Sequence, residues 1–553
     1  MRYAWDNSNI VESYPGVCSP LTFSFARYVY REVYRQTALL FGVDRRLVDK
    51  MYRKLETFLG YFDGRFYYNL ETWCTLIGYL PGFSANPALL QEMMGVRSED
   101  RISVPSVKTS RLAALRLALI FVYRHFTLSA TTARWIADFD RDFRKTTSDL
   151  DKVADAYGAL DLFCAVEYRY LRDWQIPILN DFSVMIYSGL LRSFSRRYLG
   201  RELDPVHISQ IGGGGNARMV LKLRQIARMV RADAQLMEEL PALSHAQLWE
   251  QMNARPQVRQ LLRSFLADFG LRNGHDLKLE TPNLEEDPTL FIELIKQYVR
   301  PDTPQTDTAA ASGSGRSGEE AGRLSLFKKL VLNYLTNRAK QAMRRREEMR
   351  LKRSQIFGTM RKIFLKIGAD LAAQGVLTER DDIFYLEMDE VFQILQGTST
   401  LQDLKPLVAQ RRKELAAADT RTVRPHFTTR GIPARDRSWR VSEDREEVGG
   451  ELSGIPNYPG LVSGEVVVME RPDFSQDVKG KILVCQQTDP SWVPFLGLIR
   501  GLVVERGGIL SHAAIVSREL KVPSIIGVAN ATRVLRSGQL VTLDSRLGKV
   551  VAS

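Results

Sequence analysis

The chain has 553 residues, 44% hydrophobic and 25% charged, with four cysteines and a formal net charge of +13. That length is too great for one core and predicts two to four domains, and the composition is that of a globular protein rather than a disordered or fibrous one. Cys18, Cys74, Cys164 and Cys485 are far apart and lack ligand spacing, which argues against a disulfide scaffold or a metal site; the start of the chain is no signal peptide, and the longest apolar run, Leu117 to Tyr123, is too short to span a bilayer. These features predict a soluble cytoplasmic protein with no metal and no membrane partner. The basic residues are spread widely rather than gathered in a tail, so phosphate chemistry and a solvated surface account for the charge, and no nucleic-acid partner is expected.

Taken in order, the chain starts extended and becomes helical after Pro20. Tyr61 to Glu71 reads as an aromatic strand pair turning at Gly64. Arg111 to Phe126, Thr131 to Thr147, Asp151 to Asp173 and Phe182 to Leu199 carry apolar residues at helical spacing, as core faces of packed antiparallel helices. Gly212 to Gly215 lacks the Lys-Ser/Thr or the second glycine pattern of a nucleotide loop and reads as a flexible connection. Residues 301–322 are rich in Gly, Ser, Ala and Thr and predict a disordered loop. A long helix begins near Leu324. On it Arg346, Arg350 and Arg353 fall at i, i+4 and i+7, a face that is either solvated or a phosphate contact. The helix stops at Gly375, and Leu407 to Gly450, with few large apolar residues, reads as a charged linker.

From Gly454 onward β-branched runs alternate with turns around one main helix, a compact α/β unit of about a hundred residues. Its centre is Gly501 to Val528, GLVVERGGILSHAAIVSRELKVPSIIGV. Leu502 to Val504 is a short β-branched run, Gly507 and Gly508 make a turn, Ser511 sits at an N-cap, Pro523 ends the helix, and Ser524 to Val528 reads as a buried strand. His512, at the loop–helix junction, is the side chain there with nucleophilic chemistry. A neutral imidazole attacks well near neutral pH, and a helix N-terminus favours a phosphoryl dianion beside it. The alternative is a histidine that only packs at a helix start.

This stretch resembles the phosphohistidine loop of phosphoenolpyruvate synthase, pyruvate phosphate dikinase and rifampin phosphotransferase, and Thr488 to Leu496 (TDPSWVPFL) resembles the segment upstream of that loop in rifampin phosphotransferases. The resemblance implies that His512 is phosphorylated and dephosphorylated in each cycle, with Gly507, Gly508 and Ser511 about the phosphate. Dikinase-like members have Thr two residues before the histidine; here that position is Leu510, which leaves Ser511 as the hydroxyl of the turn. Earlier landmarks are similar too: Ser19-Pro20-Leu21-Thr22, Tyr61 to Glu71, Phe265 to Pro288, Arg346-Glu347-x-x-Arg350, and Asp381 to Leu386 followed by Glu390. Arg350 stands where the family has Lys, which keeps the charge but not the compact ammonium. By the same resemblance Arg346 and Arg350 are candidates for phosphate contact and Arg272 and Arg353 for acceptor contact; Arg272, His275 and Asp276 are the polar candidates of a segment that reads equally well as a structural turn.

The fold class so implied is multidomain α+β: a mostly helical acceptor-binding domain followed by a small α/β swivelling phosphohistidine domain. Its parts are 1–300, a disordered loop at 301–322, a helical continuation with the arginine-rich helix at 323–406, a linker at 407–452 that permits a swing, and the phosphohistidine domain at 453–553. The family's ATP-grasp domain is expected on a separate subunit, an arrangement similar to phenylphosphate synthase. That subunit would use ATP, with Mg2+ at its own nucleotide site, to charge His512. The expected acceptor is a hydroxyl of a small organic molecule, with a phenol as the specific candidate. The rival expectation is a noncatalytic ligand- or protein-binding module switched by histidine phosphorylation.

Overall fold

The computed structural model describes residues 2–40, 43–78, 111–171, 174–200, 215–272, 277–300, 325–421, 423–433, 435–436, 439–440, 452–473, 475–508 and 511–552. The chain is multidomain α+β, helical in its first part with a β-sheet domain at the C-terminus. Its contacts divide it into two units. One unit comprises residues 1–181, 277–281 and 352–444, and the other residues 182–276, 282–351 and 445–553.

In the first unit, strands β1 (Arg2–Asp6), β2 (Leu59–Phe62), β3 (Arg65–Asn69) and β4 (His426–Arg430) form an antiparallel sheet in the order β2-β3-β1-β4. The expected aromatic hairpin is there, with Asp63 and Gly64 both at positive φ in its turn. The expected linker is not. Lys405–Asp419 is a helix that buries Val408 and Ala418, and β4 pairs with β1 over five residues. Phe427 and Trp439 supply the reason: these two aromatic residues of the segment are buried with Trp5, Phe62 and Tyr67. Two anchoring aromatic side chains, backbone pairing and proline-started helix geometry hold a stretch whose average composition is hydrophilic. Residues 441–451, the rest of the expected linker, lie outside the described residues, as do 301–322 and Gly212 to Gly214.

The helical expectations also need correction in detail. Arg111 to Thr147 is one helix, Arg111–Leu150, because the sequence between the two expected pieces contains neither Gly nor Pro. The helix expected from Asp151 starts at Ala156, where Asp155 caps it, and continues into a π-helical turn at Glu167–Leu171. The longest element is Leu326–Ala373, which contributes its residues through Leu351 to one unit and the rest to the other.

In the second unit β5 (Ile455–Tyr458), β6 (Leu461–Met469), β7 (Ile482–Cys485), β8 (Gly501–Val504), β9 (Ser524–Ile526), β10 (Leu540–Asp544) and β11 (Lys549–Ala552) form one sheet, ordered β11-β10-β6-β7-β8-β9-β5. Its centre, β6-β7-β8-β9, is parallel, and its flanks are antiparallel. One face packs Val466, Ile482, Val484, Val503, Ile525 and Leu543 together. The other face, with Val467, Leu483, Leu502 and Val504, shares a core with Val220, Leu223, Phe265, Phe291 and Ile295 of preceding helices. That shared core is why residues 182–276 and 282–351 group with the C-terminal sheet rather than with the first helical part, a division different from the one expected.

Candidate active site

Two loops meet above the carboxyl ends of the neighbouring parallel strands β7 and β8, the end of a parallel sheet at which ligands are commonly held. Register places Cys485 opposite Val504, so the segment after Cys485 and the loop after Val504 leave the sheet side by side. In the second loop Gly507 has φ +131°, and a Cβ there would lie 2.8 Å from Ser511 Oγ. Only glycine fits that turn without displacing Ser511. Gly508 offers its carbonyl to the Ser511 N–H at 2.9 Å. Ser511 is extended and its hydroxyl accepts from the Ala514 N–H at 3.4 Å, which caps the helix His512–Glu519. Ile509 and Leu510 lie outside the described residues.

His512 is thus the first residue of that helix, and only 1% of it is exposed. Its Nδ1 lies 3.1 Å from Thr488 Oγ1 in the upstream loop. Its Nε2 is enclosed and, among the described residues, meets no hydrogen-bonding group. Burial, then the guanidinium groups of Arg350, Arg272 and Arg346, hold the imidazole pKa well below its usual value. The ring is therefore neutral at physiological pH. With the proton on Nδ1 and donated to Thr488, the lone pair is on Nε2, which makes that nitrogen the nucleophilic one.

The cations come from two places. Arg346 and Arg350 are half-buried on the long helix, and Arg272, buried, follows the helix Pro256–Phe269 with its guanidinium 5.9 Å from the Phe269 ring centroid. Ile515, one turn beyond His512, packs on Val184, Ala342 and Met343. Arg353 does not join this group. It belongs to the other unit, where it acts on the buried Tyr14 hydroxyl. The expected three-arginine face is therefore two arginines at the histidine and one elsewhere, because seven residues span about two turns and the helix passes from one unit to the next within them. His275 and Asp276 lie outside the described residues.

A second polar group adjoins the first. Glu347 is buried, and its Oε2 accepts from Asn216 Nδ2 at 3.1 Å. Glu519 lies on the face of the histidine helix that carries His512 and Ile515, at i+7 from His512. Burial, then Glu347, raises its carboxyl to about 8, against the opposing pull of a hydrogen bond from Asn216 and the charge of Arg350.

Thr488, Glu347, Glu519 and Asn216 were not singled out from sequence. Thr488 and Glu347 had signals available, as the hydroxyl that opens one landmark segment and the acidic residue of the Arg346-Glu347-x-x-Arg350 landmark. The others come together only through packing of helices distant in sequence. Among the described residues no group of three or more carboxylate, imidazole or thiol side chains is placed to hold a metal ion, and no helix is long and apolar enough to cross a membrane. Chemically, the arrangement offers one buried, neutral imidazole nitrogen, three guanidinium groups and a helix N-terminus, a setting matched to a doubly charged phosphoryl group.

Comparison with known proteins gives the same orientation. Residues 477–548 match the family described as PEP-utilising enzyme, mobile domain, and residues 179–347 match the rifampicin phosphotransferase fourth domain. The chain is 32% identical to the uncharacterised phosphotransferase YvkC of Bacillus subtilis over 34% of its length, covering 23% of that protein. It is 26% identical to a rifampicin phosphotransferase of Streptomyces sviceus over 61% of its length, covering 40% of that protein. It is 42% identical to a phosphoenolpyruvate synthase of Aeropyrum pernix over 18% of its length, covering 13% of that protein. The chain thus spans less than half the length of each of these relatives. Both matched segments fall within the unit that holds His512, apart from residues 179–181 and 277–281. The chain therefore contains a mobile domain of the PEP-utilising enzymes together with a rifampicin phosphotransferase fourth domain.

Proposed function

We propose that this chain is the phosphohistidine-carrying part of a phosphotransferase, in which Nε2 of His512 takes a phosphoryl group and passes it to the hydroxyl of a small organic acceptor. The observation that carries this reading is the His512 ring itself: buried, neutral, tied at Nδ1 to Thr488, and unpartnered at Nε2 beside three guanidinium groups. Nε2 attacks phosphorus as the bond to the donor oxygen breaks. The positive charge that develops on the ring is shared with Thr488 through the Nδ1–H bond. Arg350, Arg346 and Arg272 meet the negative charge on the phosphoryl oxygens. In the second step the acceptor oxygen attacks, the P–N bond breaks, its electron pair returns to Nε2, and the acceptor proton leaves to solvent or a base.

The donor in this reading is ATP, bound with Mg2+ on a separate ATP-grasp subunit that releases AMP and phosphate and leaves the β-phosphoryl on His512. A phenol is the acceptor candidate. The first unit supports that choice with an aromatic enclosure in which the Tyr14 and Phe66 rings stack at 4.3 Å. Tyr14 and Arg353 each leave a buried polar atom, Oη and Nε, without a hydrogen-bond partner among the described residues. The test is labelling with ATP carrying radioactive β-phosphate in the presence of the charging subunit. Acid-labile, base-stable label on wild type and none on His512→Ala is expected; acid-stable label, or label that survives the substitution, places the nucleophile elsewhere.

A further inference from the structure

Resting on the swivelling-histidine reading, we infer that Glu347 and Glu519 share one proton whenever the histidine helix lies against the long helix, and that this proton holds His512 in its buried position. The two carboxyl groups are positioning residues; neither reaches the reacting atoms. His512, Ile515 and Glu519 line one face of their helix at i, i+3 and i+7, and Met343, Glu347 and Arg350 line one face of the long helix at i, i+4 and i+7. Ile515 meets Ala342 and Met343 in an apolar contact. The Arg350 guanidinium acts on both His512 and Glu519. One packing surface therefore carries the nucleophile, an apolar contact and a carboxyl pair.

The pair is built to hold a proton. Asn216 donates to Glu347 Oε2 and to Glu519, which satisfies one side of each carboxyl. Glu347 Oε1 and Glu519 Oε2 are enclosed and, among the described residues, meet no N–H or O–H. Two facing carboxylates in a buried place cannot both stay ionised, and one proton between them removes the repulsion and supplies the missing donor. The other charged groups on the surrounding elements do not supply it. Arg346 and Arg350 flank Glu347 on the long helix, Arg218 on the helix of Asn216 pairs with Asp268, Arg272 faces His512, and Tyr458 of β5 is a phenol pushed further up by burial. Strand β9 and the short helix Val493–Leu496 contribute no ionisable side chain.

The sign follows from the raised carboxyl. Packed, Glu519 holds its proton up to about pH 8; a solvated glutamic acid loses it near pH 4. Between those limits each departure of the helix releases one proton to water and each return takes one up. Packing is strongest at low pH, weakens about tenfold per pH unit through the neutral range, and levels off above about pH 8.

Carbethoxylation of His512 by diethyl pyrocarbonate reads this directly, because the reagent attacks the neutral ring only when it is uncovered. The full chain is treated between about pH 6 and pH 9, and the His512 peptide is quantified by mass spectrometry. The wild-type rate is divided by that of Glu519→Gln at each pH, which cancels the reagent's own pH dependence. The amide pairs with Glu347 without a proton. The expected ratio rises about tenfold per unit from pH 6 and flattens near pH 8. Glu347→Gln serves as an independent second denominator and gives the same curve. A ratio constant over the range, or Gln variants that keep the wild-type profile, overturns the inference. Phosphate labelling of His512 is scored separately, so a flat ratio with intact labelling rejects only the shared proton, and a sloping ratio without labelling rejects only the phosphotransfer reading.

Discussion

The long helix Leu326–Ala373 has two halves that obey different rules. From Lys352 onward it is a core helix: Met360, Ile363, Phe364 and Ile367 are fully buried, and Phe364 lies among the rings of Phe25, Phe163 and Phe392. Before Leu351 the inward-facing positions include Arg346, Glu347 and Arg350, charged residues set against another helix's histidine and glutamate. Burying charge costs free energy that apolar side chains would not. The first half accepts that cost beside His512, where the proposed function needs positive charge, while the second half, which also buries Lys352 and Arg361, sets them in an apolar core that supplies stability. Substitutions in the two halves should therefore separate stability from transfer.

The largest effect expected on folding is Phe364→Ala, which should destabilise the first unit by about 3–5 kcal/mol. Chemical denaturation followed by aromatic signals measures it, and the phosphorylation of His512 per folded molecule should be unchanged. Arg350→Ala should leave the denaturation midpoint nearly unmoved and slow phosphoryl transfer by about a hundredfold, or about 3 kcal/mol. Equal losses of stability and transfer in both variants would erase the contrast. Thr488→Val removes the hydrogen bond at Nδ1 of the ring and should slow phosphorylation by about tenfold at most, with recovery in Thr488→Ser. Smallest is Ser511→Ala, which loses a helix cap worth about 1 kcal/mol and should leave labelling of His512 weakened but present.

How much of this could be read from the sequence depends on distance along the chain. Gly507, Ser511, His512 and Pro523 announce a turn, a cap, a first helical residue and a stop within one short segment, and local rules suffice for those. The structure adds that Lys521 adopts the left-handed conformation just after the helix. Thr488 escaped because its approach to His512 depends on the parallel register of β7 and β8. Glu347 stood in the Arg346-Glu347-x-x-Arg350 landmark without a role of its own, Glu519 looks like an ordinary surface glutamate, and only packing makes them a pair. Strand β4 was missed for the opposite reason: its order rests on backbone pairing and on Phe427, which an averaged hydrophilic composition conceals.

The central claim is that the phosphoryl group goes to Nε2 of His512, since Nδ1 is occupied by Thr488. The chain with 15N-labelled histidine, phosphorylated by the charging subunit or by phosphoramidate, can be examined by NMR for coupling between phosphorus and each ring nitrogen. A single phosphohistidine with coupling to Nε2 of residue 512 is the predicted result. Coupling to Nδ1, or phosphate found instead on the hydroxyl of Ser511 or Thr488, would contradict it.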